Sequence, residues 1–377
     1  MRLALAQVNP TVGDLAGNRR IIEEAIGKAR EAAADLVVFS EMALTGYPPM
    51  DLLDRDGFVQ DQMRELDALI AASEGITVVL GAVIRTPGLR PKEIQNAAVV
   101  FSDGQWIGTR AKSLLPTYDV FDETRYFEPW RTPETNVFDL RGHRIGVVIC
   151  EDGWNDEQFF GRRIYDLDPV ERVVEAGAEL VINLSASPWS AGRVSFRGRM
   201  VEAASERHNV PIVYVNLVGG DVELQFDGGS LAVKPSGAAC QPVLFAEALQ
   251  IVDTEVPWTE KVSTPAVQSM HHRAIVQGIA AYVGKFGFKN CLLGLSGGID
   301  SALVATLAVD ALGGENEVRR WFEEDRGIAR DLAKAGEIKQ ALEIAQQIED
   351  SSSKGFALSG IARDLVEAGE INQALEI

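Results

Sequence analysis

The chain has 377 residues, 46% of them hydrophobic and 24% charged, which suits a globular protein long enough for two or more domains. A formal charge of -19 argues against general affinity for nucleic acid backbones or anionic membranes, because the long-range field repels both. The three cysteines, Cys150, Cys240 and Cys291, are far apart and lack zinc-type spacing, so neither a disulfide framework nor a metal site is expected and a reducing cytoplasm fits best.

The opening MRLALAQVNP holds too short an apolar run for a signal peptide or a membrane span, and Leu3 to Val8 reads as a first strand. Leu15 to Ala34 has helical periodicity, with Ile21, Ile22, Ala25, Ile26 and Ala29 on one side. A second apolar strand, LVVF, runs into Ser40 and Glu41 and then into the turn-rich LTGYPPMDLL. Further strands are expected over Ile76 to Ile84 and Ala97 to Phe101. Ala111 to Trp130 has no sustained period and mixes aromatics with charges, as a site-building loop does.

Ile145 to Ile149 is a continuous β-branched run of the kind buried on both faces, and it ends abruptly in Cys150, Glu151 and Asp152. Open α/β sheets place ligands beyond the carboxyl ends of such strands, so Cys150 stands where a reactive group would stand. Taken in isolation, a cysteine there reads more readily as a small buried hydrophobe, and other parts of the chain must decide. After it come the start of a helix at Pro169 to Ala176, a strand over Leu180 to Leu184 that runs into Ser185 to Pro188, and a helix over Phe196 to His208. Ile212 to Leu217, Leu224 to Val233 and Cys240 to Val252 read as strands, the last two antiparallel. Thr254 to Thr264 is polar and reads as a linker. Beyond it, a helix (His271 to Phe286), a strand (Asn290 to Leu295), the turn SGGIDS and a helix (Ala302 to Leu312) are expected.

A thiol that attacks an amide needs a base to take its proton and a cation to hold the developing oxyanion, so Glu, Lys and Cys form a sufficient set without histidine. None of His143, His208, His271 and His272 lies in a context that makes it an obvious partner. FSEMALTGYPPMDLL, AKSLLPTYDVFDETRYF, VVICEDGWND and NLSASPWSAGR together resemble the four signature stretches of the nitrilase superfamily, in the version found in glutamine-dependent NAD synthetases. The resemblance covers residues 1 to about 312. It implies a four-layer α-β-β-α sandwich over residues 1–258 and, within it, Glu41 as general base, Lys112 as stabiliser of the tetrahedral intermediate and Cys150 as the nucleophile that forms a thioester with L-glutamine. It further implies a glutamine pocket of Tyr47, Tyr118, Glu151, Ser187 and Arg193, with Glu123 behind Lys112, and association into a homo-oligomer through the helical layers.

The SGGIDS turn resembles the pyrophosphate-binding loop of ATP pyrophosphatases, which implies ATP at Gly294, Leu295, Ser296, Gly297, Gly298, Ile299, Asp300 and Ser301. Its glycines let backbone N–H groups approach an anion, and the following helix offers its positive end. In the full family ATP and Mg drive amidation of nicotinic acid adenine dinucleotide with ammonia from the cysteine site. Here the text changes after Gly313 to a sequence rich in Glu, Ala, Ile and Leu. GIARDLAKAGEIKQALEI (327–344) recurs 33 residues later as GIARDLVEAGEINQALEI (360–377), a period typical of tetratricopeptide-like helix pairs. The expected organisation is therefore a glutaminase domain (1–258), a truncated Rossmann-like synthetase piece (259–313) and an all-α repeat tail (314–377), with glutaminase activity alone. Two other readings stay open: a nitrilase-family amidase acting on another small amide, and a catalytically idle scaffold whose tail binds partners.

Overall fold

The structure is a computed structural model that describes residues 1–313, apart from 56, 87, 89–91, 222, 264, 289–290, 292 and 295–298. The chain divides into two compact units, Met1–Gly278 and Ile279–Ile377. In chain order the first unit contains β1 (Arg2–Gln7), α1 (Leu15–Glu31), β2 (Leu36–Phe39), α2 (Phe58–Ala71), β3 (Thr77–Arg85), β4 (Ile94–Ser102), β5 (Gln105–Ala111) and the single turn α3 (Glu123–Tyr126). It continues with β6 (Val137–Leu140), β7 (His143–Ile149), α4 (Glu157–Phe160), α5 (Pro169–Glu175), β8 (Leu180–Ser185), α6 (Arg193–His208), β9 (Ile212–Asn216), β10 (Val218–Asp221), β11 (Leu224–Asp227), β12 (Leu231–Lys234), β13 (Gly237–Ala238) and β14 (Ala248–Asp253).

Two six-stranded sheets result, with strand orders β14-β1-β2-β3-β4-β5 and β13-β12-β9-β8-β7-β6. Each has a parallel centre, β1-β2-β3 in one and β7-β8-β9 in the other, flanked by antiparallel strands. Successive side chains of a strand point to opposite faces, so an apolar run buried on both sides feeds two cores. Leu3, Leu5, Leu36, Val38 and Val79 meet Ile145, Val147, Ile149, Ile182, Leu184 and Val213 between the sheets. The alternate residues Ala4, Ala6, Val37, Phe39 and Val78 pack outward against Ile22, Ile26, Leu66 and Leu69 of α1 and α2. Val148, Val181, Ile212 and Tyr214 do the same against Val173, Met200, Val201 and Ala204 of α5 and α6. The layers thus run helix, sheet, sheet, helix.

Several expectations are corrected. Leu224 to Val233 is not one strand: Gly228 and Gly229, at φ +68° and +74°, separate β11, which pairs with β10, from β12, which joins the second sheet. A Cβ on Gly228 would lie 2.2 Å from the Gln7 amide, so the break is built around a buried side chain. Of Cys240 to Val252 only the last part is a strand, β14. The segment read as a linker is packed: Trp258 is buried between the sheets, its indole N–H donates to Asp253 O at 2.8 Å, and Glu260 bridges to Ala238. Helix α7 (Val267–Lys285) begins with Met270 buried against Val194 and Leu244.

In the second unit Tyr282, Phe286 and Phe288 form an aromatic cluster, and α8 (Ile299–Leu312) supplies the helix expected after the SGGIDS turn. Ser296, Gly297 and Gly298 of that turn lie outside the described residues, as do the repeat tail and Asn290, Leu292 and Leu295 of the strand expected before it, whose described residues Cys291, Leu293 and Gly294 form no strand. No helix among the described residues is long and apolar enough to cross a membrane.

Candidate active site

Glu41 follows the carboxyl end of β2 and is fully buried. Its Oε1 accepts from Lys112 Nζ at 2.8 Å and from Asn96 Nδ2 at 2.6 Å, while Oε2 accepts from the Ala186 N–H at 3.0 Å. Ala186 follows β8 of the other sheet, so this one carboxylate ties the two sheets together at the edge where their parallel strands end. The turn carrying Glu41 lies flat on Gly81 of β3. A Cβ there would fall 2.3 Å from Ser40 O, 2.4 Å from Met42 N and 2.7 Å from the Glu41 Cα.

Lys112 follows β5 and is also buried. Its ammonium lies between two carboxylates, donating to Glu123 Oε1 at 2.7 Å as well as to Glu41. Burial opposes its charge, but Glu123 and Glu41 outweigh that penalty and hold the lysine well above its ordinary range. Glu123 opens α3, accepts from the Tyr47 hydroxyl at 2.9 Å, and is pushed up to about 7 by burial, with Lys112 opposing and Glu41 adding to the rise.

Cys150 follows β7 at φ +44°, a conformation that costs a non-glycine residue on the order of 1–3 kcal/mol and persists only where the surroundings impose it. Here they do. Its N–H donates to Asn183 Oδ1 at 2.9 Å, and Asp152, two residues on, accepts from Ile149 N at 3.0 Å and from Ser113 N and Leu114 N at 2.9 and 2.8 Å. That carboxylate joins the cysteine turn to the residues just after Lys112. Burial and the Glu41 charge push the Cys150 thiol well above its usual range, with Lys112 opposing, so the resting group is the neutral thiol.

Around this centre, Glu151 accepts from the hydroxyls of Tyr118 at 2.9 Å and Tyr165 at 2.9 Å. The Arg193 guanidinium lies 5.2 Å from the Trp154 ring centroid and acts electrostatically on Tyr118. Tyr118 and Glu151 therefore stand together, while Arg193 sits against Trp154. Tyr47 and Ser187 are committed to the protein's own hydrogen bonds: Tyr47 to Glu123, and Ser187 through its N–H to Asn216 Oδ1 at 2.8 Å, with its Oγ accepting from Arg197 at 3.4 Å. Of the ATP-loop residues Gly294, Ile299 and Asp300 are exposed.

Five residues that sequence reasoning missed are part of this arrangement: Asn96, Asp152, Tyr165, Asn183 and Arg197, the last ion-paired to Asp227 in the interior. The available signal for Asn96 and Asn183 is an amide inside an otherwise apolar strand, which must find a buried partner.

The carbon-nitrogen hydrolase family matches residues 2–261 and the NAD synthase family residues 271–363. The first match spans more than half of the sequence, so the chain belongs to the carbon-nitrogen hydrolase family. Within it the chain is similar to the glutamine-dependent NAD(+) synthetases of Synechocystis sp., 42% identical over 83% of this chain, and of Xanthomonas campestris, 39% identical over 88%. It spans 58% and 60% of their lengths. A solved glutamine-dependent NAD+ synthetase from Acinetobacter baumannii, in complex with ADP, superposes with a TM-score of 0.74 at 28% identity over 98% of this chain and 72% of that one. An amidase of the nitrilase superfamily from Nesterenkonia shares the fold at 22% identity, TM-score 0.57 over 67% of this chain and 90% of that one.

The expectation that the synthetase resemblance stops near residue 312 is not supported, because the NAD synthase match runs on to residue 363, over the first copy of the internal repeat. Two similar stretches at one offset fall short of the three or so units that a repeat array needs for a core.

Proposed function

We propose that the chain carries the glutamine-hydrolysing part of a glutamine-dependent NAD(+) synthetase together with NAD synthase sequence over residues 271–363. The observation that carries the reading is the buried Glu41–Lys112–Glu123 contact set at the end of the sandwich where β7 delivers Cys150, in a chain 42% identical to such a synthetase.

Glu41 takes the Cys150 proton as the sulfur bonds to the carboxamide carbon of L-glutamine, so thiolate forms only when substrate is there to receive it. The amide oxygen becomes an oxyanion, which Lys112 stabilises; the lysine is already charged, so no proton need arrive for it to do so. Glu41 then returns the proton to the nitrogen, the C–N bond breaks, ammonia leaves and a thioester remains. Water, deprotonated by Glu41, attacks the thioester; the C–S bond breaks, glutamate leaves, and Glu41 returns the proton to the Cys150 sulfur. Glu123 keeps Lys112 aimed at the reacting centre. Glu151 takes the substrate's α-ammonium group, Arg193 its α-carboxylate, and the Tyr118 hydroxyl lines their approach, while Tyr47 and Ser187 shape the pocket from behind.

The ammonia serves an ATP-driven amidation of nicotinic acid adenine dinucleotide, with ATP and Mg held by the synthetase part, ATP at Gly294 to Ser301. Among the described residues no group of three His, Cys, Asp or Glu side chains is placed to hold a metal ion, and the hydrolytic steps above use none.

The substitution Cys150→Ala tests the reading. Ammonia release from glutamine should be abolished while the unfolding transition is kept; turnover that survives the substitution defeats the assignment. Adding ATP, Mg and the dinucleotide acid to the unsubstituted chain asks separately whether NAD forms.

A further inference from the structure

Glu151 is a carboxylate beside Cys150, 3% exposed, and among the described residues no Lys, Arg or His nitrogen lies within 4 Å of it. What it has instead is two phenols. Tyr118 OH lies 2.9 Å from Oε2 and 3.0 Å from Oε1, and Tyr165 OH lies 2.9 Å from Oε1. A carboxylate has about four acceptor sites and the two hydroxyls bring two protons, so acceptor capacity remains for an incoming cationic donor. The two phenols arrive from different segments, Tyr118 from the loop after Lys112 and Tyr165 from the loop between α4 and α5.

The Tyr165 loop is built to hold its position. Asn155 Nδ2 donates to Tyr165 O at 2.8 Å and to Leu167 O at 2.6 Å, and its Oδ1 accepts from Ile164 N at 2.8 Å and Tyr165 N at 2.9 Å. All four hydrogen-bonding positions of one buried amide are spent on fixing this backbone. Asp168, which follows it, caps α5 through Glu171 N at 3.1 Å, and Arg207 of α6 ties Asp156 and Glu171 at 2.9 and 3.1 Å.

We propose that Tyr165 is a specificity-determining positioning residue for L-glutamine, its hydroxyl fixing Glu151 so that the free side of the carboxylate receives the substrate's α-ammonium group. The inference rests on the glutaminase reading above. Burial raises both tyrosines, together with the Glu151 charge, so each stays a protonated donor across the working pH range. The same two donors partly offset the burial that raises Glu151 itself.

Tyr165→Phe removes one hydroxyl and keeps the ring. Steady-state glutamine hydrolysis should show KM raised about tenfold, the size expected for losing one hydrogen bond to a charged group, with kcat within about twofold. Inactivation by iodoacetamide, which carries no α-ammonium group, should proceed at the same rate in variant and wild type. Unchanged KM overturns the proposal, and so does a loss of iodoacetamide reactivity parallel to the loss of glutamine turnover, which would make the role structural. Wild-type protein that does not hydrolyse glutamine at all sinks the glutaminase reading instead.

Discussion

One ammonium between two buried carboxylates leaves Lys112, Glu41 and Glu123 with more negative than positive charge when all are ionised, in a place where water does not help. Glu123 yields: burial, reinforced by Glu41, lifts it from an ordinary value near 4.5 to about 7. A carboxyl whose folded pKa exceeds its unfolded one binds more protons folded than unfolded between those values. Its contribution to stability is therefore full below about pH 4.5 and is lost as pH rises towards 7. Asp152, lifted by burial from 3.8 to about 7, acts in the same direction. Glu123→Gln should flatten the decline in unfolding free energy between pH 5 and 7, measured by urea titration at several pH values. A slope as steep as that of the wild type would show that Glu123 does not titrate there.

Among the elements, the sheet edge is shaped as much by β3 and β8, which contribute no proposed reacting group, as by β2 and β7. Gly81 gives the Glu41 turn its seat, and an added methyl would press on the Glu41 backbone rather than on a side chain able to move aside. Gly81→Ala should cost about 1–3 kcal/mol in denaturant unfolding and lower glutamine hydrolysis at least tenfold by displacing Glu41. Full activity in that variant would mean that the turn tolerates the shift. Asn183 of β8 does the parallel service for Cys150. Gly81 does not announce itself, and the amide of Asn183 says only that it needs a buried partner; which partner depends on strand order, and strand order is not a property of any local window.

At the scale of the whole molecule, the first unit is closed by residues far apart in sequence. β14 pairs with β1 in register from Arg2 and Asp253 to Gln7 and Ala248, and Trp258 fills the space between the sheets with Lys234 Nζ 4.5 Å from its ring centroid. Polar composition made Thr254 to Thr264 look like a tether, whereas the single large indole within it belongs to the core. Trp258→Ala should destabilise the first unit by about 3–5 kcal/mol in chemical denaturation, a loss no true linker residue would cause. β5 and β6 escaped the reading of the sequence because β5 is exposed or half-buried at six of its seven residues and β6 has four residues, so neither carries a long apolar signal.

Read alone, the sequence already determined the strands β1, β2, β3, β7, β8 and β9 and the places where β2 and β7 end in Glu41 and Cys150, because strands buried on both faces must be written as unbroken apolar runs whose ends are visible. The family resemblance was legible in the same stretches. Only the tertiary structure decided that Glu41 reaches across to Ala186, that Lys112 is shared with Glu123 and that Glu151 is held by Tyr165 as well as Tyr118. Those pairings depend on distances of about 3 Å between groups up to 145 residues apart, and no periodicity in a sequence encodes a contact between segments whose separation along the chain is arbitrary.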